Sequence, residues 1–68
     1  MITREFKIEG MSCMHCVMAV KNAVKQFNPE SLEVEIGHMK ITFDETETDD
    51  SKISAAVEEE GYKVVEIK

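Results

Sequence analysis

The two cysteines of the chain, Cys13 and Cys16, lie three residues apart in the segment GMSCMHC, residues 10–16. Thiolate sulfur prefers soft metal ions such as Cu(I). Residues at i and i+3 on a helical turn have Cβ atoms about 5–6 Å apart, so two sulfurs at this spacing can bind one ion between them. The two histidines, His15 and His38, do not complete the spacing of a zinc finger, which disfavours a structural zinc site.

The same cysteine spacing occurs in thiol-disulfide oxidoreductases, the alternative from the enzyme class. A thioredoxin-like fold needs a longer chain and usually has a proline between its cysteines. This chain has 68 residues, and Met14 and His15 stand between the cysteines. The sequence also lacks a Gly-rich phosphate loop and a nucleophile with a plausible base. We therefore predict a metal-binding protein that is not an enzyme.

Length and charge exclude further classes. The chain of 68 residues has room for one small domain, residues 1–68. Its net charge of −6 disfavours nucleic acid and anionic membranes as partners. No apolar run reaches the roughly 20 residues that span a bilayer, and no segment resembles a signal peptide. We therefore expect a protein of the reducing cytosol, without insertion into a membrane.

Hydrophobic periodicity predicts the elements that must position the cysteines. Residues 3–9 alternate polar and apolar side chains like a half-buried strand, which ends at Gly10. Apolar residues recur at helical spacing over residues 16–27, and Asn28-Pro29 stops that helix. Its predicted buried residues are Val17, Val20, Val24 and Phe27.

The C-terminal third predicts a second helix and a final strand. Asp50 or Ser51 is the predicted N-cap, and Gly61 is the predicted left-handed residue that ends the helix. The strand follows over residues 62–67. The inward-facing residues predicted for this helix are Ile53, Ala56 and Val57.

Between the helices, residues 32–36 and 39–43 predict a β-hairpin with Gly37-His38 as its turn. Its expected register pairs Ile36 with Met39, Val34 with Ile41 and Leu32 with Phe43, which places all six apolar side chains on one face. The element order then predicts an α+β domain, a ferredoxin-like βαββαβ sandwich. It has a four-stranded antiparallel sheet with two helices on one face.

The pattern Gly-Met-x-Cys-x-x-Cys at residues 10–16 resembles the metal-binding motif of the heavy-metal-associated domain family. The resemblance covers the whole chain, including the pair Gly61-Tyr62. Within the family, the chain most resembles the small bacterial copper chaperones. This resemblance implies that Cys13 and Cys16 bind Cu(I), that Met11 packs beneath the loop, and that the tyrosine lies beside the metal.

Two further residues of the motif bear on the choice of ion. Relatives that handle zinc or cadmium commonly have an aspartate before the first cysteine, where this chain has Ser12. Without that oxygen ligand, a two-coordinate soft ion is favoured over tetrahedral Zn²⁺. Cu(I) is therefore the expected ion, and Hg²⁺, Zn²⁺ and Cd²⁺ are the alternatives. His15 is expected beside the site with its ring towards solvent, and ligation by His15 is the alternative.

The resemblance also implies a function, a cytosolic metallochaperone that passes Cu(I) to the Cys-x-x-Cys domain of a P-type copper ATPase. Transfer would proceed by thiolate exchange, with Cys13 as the first point of exchange. A regulatory metal-binding domain excised from a heavy-metal ATPase is the alternative, as is a carrier of mercury or zinc. The protein is expected to be a monomer without metal, and a metal-bridged dimer is the alternative once metal is bound.

The charge distribution suggests where a partner docks. Residues 1–27 contain four bases and two acids, a net charge of +2, whereas residues 28–68 contain four bases and twelve acids, a net charge of −8. An acidic partner would be repelled least by the first region. We expect docking at the end of the molecule that displays Cys13, Met14, Met18, Lys21 and Lys25. The two methionines are expected to make apolar contacts there rather than to bind copper.

Overall fold

The computed structural model describes residues 1–68 and contains six regular elements in the predicted order. They are β1 (Ile2–Glu9), α1 (Met14–Lys25), β2 (Ser31–Glu35), β3 (His38–Phe43), α2 (Asp50–Glu59) and β4 (Lys63–Ile67). The strands form one antiparallel sheet in the order β2-β3-β1-β4. This is the predicted ferredoxin-like α+β fold. Neither helix is long and apolar enough to cross a bilayer.

The pairing of β1 brings three connections to one end of the sheet. Lys7 lies opposite His38 at the start of β3, and Glu9 lies opposite Lys63 at the start of β4. The β2–β3 turn and the α2–β4 connection therefore lie beside the segment that follows β1. That segment, residues 10–13, contains the first cysteine, and this end of the molecule is called the loop end below.

One hydrophobic core joins the inner face of the sheet to both helices. On β1, Phe6 and Ile8 are buried and alternate with exposed residues, as the two-residue period of a strand requires. The helices bury the residues that the sequence predicted: Val17, Val20 and Val24 from α1, and Ile53, Ala56 and Val57 from α2. Phe27 is partly buried against this core.

Helix α1 begins two residues earlier and ends two residues earlier than predicted. Cys13 is its N-cap, with extended backbone (φ −157°, ψ 174°), and the Cys13 carbonyl accepts hydrogen bonds from the amides of Cys16 (3.0 Å) and Val17 (3.3 Å). At the other end, the amide of Asn28 donates to the carbonyl of Lys25, and Asn28 has a φ of +50°. The tightened last turn and this left-handed residue end the helix before the proline.

The predicted register of the β2–β3 hairpin is wrong by two residues. Val34 lies opposite Met39, and the turn consists of Ile36 and Gly37 instead of Gly37 and His38. A shift of two preserves the face on which side chains lie, so only Ile36 leaves the sheet, and it is 52% exposed. Gly37 provides the positive φ of the turn (+84°), and its carbonyl accepts a hydrogen bond from the amide of Ile8 at 3.0 Å. This bond to β1 fixes the turn one residue earlier than predicted.

The ends of α2 differ slightly from the prediction. Its N-cap is Asp49, whose carboxylate accepts a hydrogen bond from the amide of Lys52 at 2.9 Å, and not Asp50 or Ser51. Gly61 has the predicted left-handed conformation (φ +97°) after the helix. Strand β4 begins one residue later than predicted, and its register with β1 is interrupted between Lys7 and Ile8.

Candidate metal centre

The loop that carries Cys13 packs against the rest of the protein through Gly10 and Met11. Gly10 turns the chain with a φ of +98°, a conformation that side chains other than glycine rarely adopt. Met11 is 7% exposed and belongs to the core. A Cβ atom at position 10 would lie 3.5 Å from Cδ1 of Tyr62, so the tyrosine ring lies directly against this turn. Ser12 and Cys13 are thereby held at the surface.

The two cysteines come together on the first turn of α1. Cys13 is exposed, whereas Cys16 is half-buried and packs against the core. Both are free thiols, and their sulfur atoms are 3.9 Å apart. The start of the helix thus brings together the two residues that the sequence predicted as ligands.

The pKa of the Cys16 thiol is lowered from 9.0 to about 6. The largest cause is hydrogen bonding from the side chain of Tyr62, and backbone groups at Ser12 and Cys13 lower it further. The same interaction with Cys16 is the largest cause that raises the pKa of Tyr62 to about 12. A helix N-terminus also favours a thiolate, but the largest cause at Cys16 is the hydrogen bond from the neighbouring tyrosine.

The Tyr62→Phe variant tests this interaction. Because the substitution removes the phenolic donor, we expect the pKa of Cys16 to rise from about 6 towards its ordinary value. The thiolate absorbance of Cys16, titrated in a Cys13→Ser background, measures the change. An unchanged pKa of Cys16 in a folded Tyr62→Phe protein would contradict the assignment.

Stability should follow the same titration. The folded pKa of Cys16 is below the unfolded one, so the ionised thiol stabilises the fold fully above the unfolded pKa, and this contribution is lost as the pH falls through about 6. For the reduced, metal-free protein, urea unfolding at several pH values should show a smaller rise in stability with pH when Tyr62 is replaced by Phe.

The structure gathers no third His, Asp or Glu side chain with the two sulfurs. Ser12 and His15 are exposed, and the structure contains no group of three or more His, Cys, Asp or Glu side chains that could hold a metal ion. His38, at the start of β3, contacts Glu5 instead, with its Nε2 atom 2.9 Å from Oε1 of that residue. The candidate centre is therefore a pair of sulfurs on an open surface.

Two cavities of about 270 and 380 Å³ are present, and neither is lined by a cysteine. Neither sulfur therefore lies in a pocket for an organic ligand. The close approach of Gly10 to Tyr62 was missed by sequence reasoning. A glycine directly after a strand was the available signal, but the tyrosine that it meets is more than fifty residues away in the chain.

This fold and site define a small ferredoxin-like domain with a surface pair of thiols. Residues 5–63 match the heavy-metal-associated domain family, and the chain belongs to that family. It is similar to the copper chaperone CopZ of Staphylococcus saprophyticus, with 34% identity over 67 residues that cover 94% of this chain and 98% of the relative. CopZ of Bacillus subtilis is also 34% identical, over 64 residues that cover 90% and 93%.

A solved structure described as a CopZ metallochaperone superposes on this fold with a TM-score of 0.87. The two share 31% identity, and the match covers 94% of this chain and 100% of that one.

Proposed function

We propose that this protein is a copper chaperone that binds one Cu(I) between Cys13 and Cys16 and delivers it to another protein. The observation that carries the proposal is the pair of free sulfurs 3.9 Å apart, which no His, Asp or Glu side chain joins as a third ligand. Two thiolates complete the coordination of a soft two-coordinate ion, whereas Zn²⁺ in a closed site needs four ligands. The copper chaperones among the relatives, which match over nearly their whole length, support this choice of ion.

A small movement of Cys13 suffices to accommodate the ion. Metal–thiolate bonds are about 2.3 Å long for zinc, and two bonds of that length in a line place the sulfurs about 4.6 Å apart. The observed distance of 3.9 Å is shorter by less than an ångström. Cys13 is exposed and precedes the helix, so its side chain can rotate outward while Cys16 stays in place.

The unequal exposure of the two ligands suggests an order of transfer. An incoming thiolate can reach the ion from the side of Cys13 and form a three-coordinate intermediate. Cys13 then leaves first, while half-buried Cys16, which is fixed in α1 and interacts with Tyr62, leaves last. Each new metal–sulfur bond forms before an old one breaks, so tight binding is compatible with rapid exchange. Both thiols must be reduced, a condition that the cytosol provides.

We infer that the acceptor is the Cys-x-x-Cys domain of a P-type copper ATPase and that it docks against α1. This helix contains Lys21 and Lys25 and no acidic residue, in a chain with a net charge of −6. Neither lysine forms an ion pair within the protein. With Met14 and Met18 they occupy helical positions i, i+4, i+7 and i+11, which lie on one flank. The surface formed by the residues that the sequence suggested therefore extends about 16 Å along α1 from the loop end.

The double substitution Lys21→Glu with Lys25→Glu should slow transfer by about tenfold or more at low salt. Affinity for Cu(I) should be almost unchanged because neither lysine is a ligand. The difference should shrink as salt rises, since exposed charges are screened over about 8–10 Å near physiological ionic strength. Stopped-flow measurement of Cu(I) passage to an isolated acceptor domain gives the rate.

The matched control is Lys40→Glu with Lys52→Glu, which changes the net charge equally on exposed positions of β3 and α2. Equal slowing by both double variants would show a general charge effect and defeat the proposal of docking on α1.

Anaerobic titration of the reduced protein with Cu(I), Zn²⁺ and Hg²⁺, followed by native mass spectrometry, tests the function as a whole. We expect one Cu(I) per chain, bound in preference to Zn²⁺ and passed to the acceptor domain. Preferential Zn²⁺ binding, or Cu(I) that the acceptor cannot remove, would refute it.

A further inference from the structure

We propose that Met14 and Met18 form a second, weaker site for a soft monovalent metal ion, a thioether pair beside Cys13. Its role, to hold Cu(I) as the ion enters or leaves the cysteines, rests on the function proposed above. Its metal binding does not, and can be measured with both cysteines removed.

The exposure of the methionines sets this pair apart. Met11 and Met39 are 7% and 0% exposed and serve the core, whereas Met14 and Met18 are 66% and 51% exposed. The exposed parts of these two long side chains, one helical turn apart, give no packing energy to the isolated domain. Their sulfur atoms are therefore available to solvent and to dissolved ions.

The start of α1 at Met14 gives the pair its geometry. Met14 is the first helical residue and Met18 is one turn later, so their Cβ atoms are about 5–6 Å apart on one face. Each side chain has three rotatable bonds before its terminal methyl group, which lets the two sulfurs converge on one ion. Cys13 is adjacent in sequence and also exposed, so soft donor atoms follow one another along this turn.

The sequence favoured apolar docking contacts over copper binding by these methionines, and their exposure and spacing now add ligation to that docking role. The two cysteines have no third His, Cys, Asp or Glu ligand, so the next soft donors along the exposed turn are the thioethers. Thioethers are neutral, and Lys21 and Lys25 on the same flank repel a cation. Both features keep the site weak, as is required of a site that the ion occupies only in transit.

The test uses the Cys13→Ser, Cys16→Ser protein and Ag(I), a soft ion that does not change oxidation state under these conditions. With ¹³C-labelled methionine methyl groups, we expect the signals of Met14 and Met18 to shift on addition of one equivalent. The buried Met11 and Met39 should not respond. Met1 is 68% exposed at the other end of β1 and reports non-specific thioether binding.

Substitution of both Met14 and Met18 by Leu preserves apolar surface and removes the sulfur, so it separates ligation from docking. Binding of Ag(I) should be lost in this variant. Unchanged binding, or an equal response of Met1 and Met14 in the parent protein, would overturn the proposal. If the serine variant is unfolded, the same titration on protein whose cysteines are already occupied by Hg²⁺ gives the answer.

The proposed role of the methionines in Cu(I) transit is tested separately, by the rate at which the cysteines are loaded. In the protein with intact cysteines, the two Met→Leu substitutions should slow loading with Cu(I) several-fold and leave the equilibrium affinity unchanged. Unchanged loading would refute the transit role. Failure of the cysteines to bind Cu(I) would instead refute the chaperone function, and the methyl shifts with Ag(I) would be unaffected by that result.

Discussion

Replacement of either Cys13 or Cys16 by Ser is expected to abolish tight Cu(I) binding. Each cysteine provides half of a two-sulfur site, and no third His, Cys, Asp or Glu ligand lies nearby to replace it. Serine keeps the size of the side chain but exchanges a soft donor for a hard, protonated one. We expect an affinity loss of at least about 1,000-fold, equivalent to about 4 kcal/mol. Competition with a chromogenic Cu(I) chelator under anaerobic conditions measures it.

His15→Gln is the matched control because residue 15 lies between the cysteines and is exposed. Near-normal affinity in His15→Gln, together with the loss in both serine variants, identifies the two sulfurs as the ligands. Retention of tight binding in either serine variant would rule out a two-thiolate site, and a comparable loss in His15→Gln would establish the histidine as a third ligand.

Substitution of Phe6 by Ala is expected to remove about half of the stability of the fold. Phe6 is fully buried at the centre of the sheet, opposite Met39 on one side and Ile67 on the other. Removal of a buried phenyl ring costs about 3–5 kcal/mol. The whole stability expected for a chain of this length is only about 3–10 kcal/mol. Urea unfolding followed by circular dichroism measures the loss.

Ile36→Ala is the control for this prediction. The side chain of Ile36 lies in the hairpin turn and is 52% exposed, so its truncation should lower the free energy of unfolding by less than about 1 kcal/mol. A large loss at Ile36 would favour the hairpin register in which this side chain belongs to the sheet. A small loss at Phe6 would contradict the core described here.

The sequence was sufficient for the element order and the inward faces because both follow from hydrophobic periodicity. Val20 of α1 and Ile53 of α2 are buried where their spacing places them. The hairpin register could not be predicted from periodicity, because a shift of two residues preserves the alternation of buried and exposed side chains. The shift is settled by the hydrogen bond between Ile8 and Gly37, a contact between segments nearly thirty residues apart.

At the site, the cysteine spacing was enough to predict two sulfurs on one turn. The start of α1 at Met14 was not predicted. The N-cap residue is Cys13, which makes no side-chain hydrogen bond to the helix, so the sequence has no N-cap signal before Met14 and His15. The dominant influence of Tyr62 on the acidity of Cys16 also depends on tertiary structure. A hydroxyl donor from the other end of the chain has no local signature in the sequence.

The route of β1 and β4 separates the loop end from the ends of the chain. Met1 precedes β1 and therefore lies about 26 Å from Glu9 along the strand, in a molecule 32 Å long. Lys68 pairs with Glu5, four residues back from the end of β1 that leads to the cysteines. A fluorescent label, a tether or another folded unit fused at either terminus would leave the thiols unobstructed. The unit is thus suited by its topology to tandem arrays, in which each copy presents its cysteines independently of its neighbours.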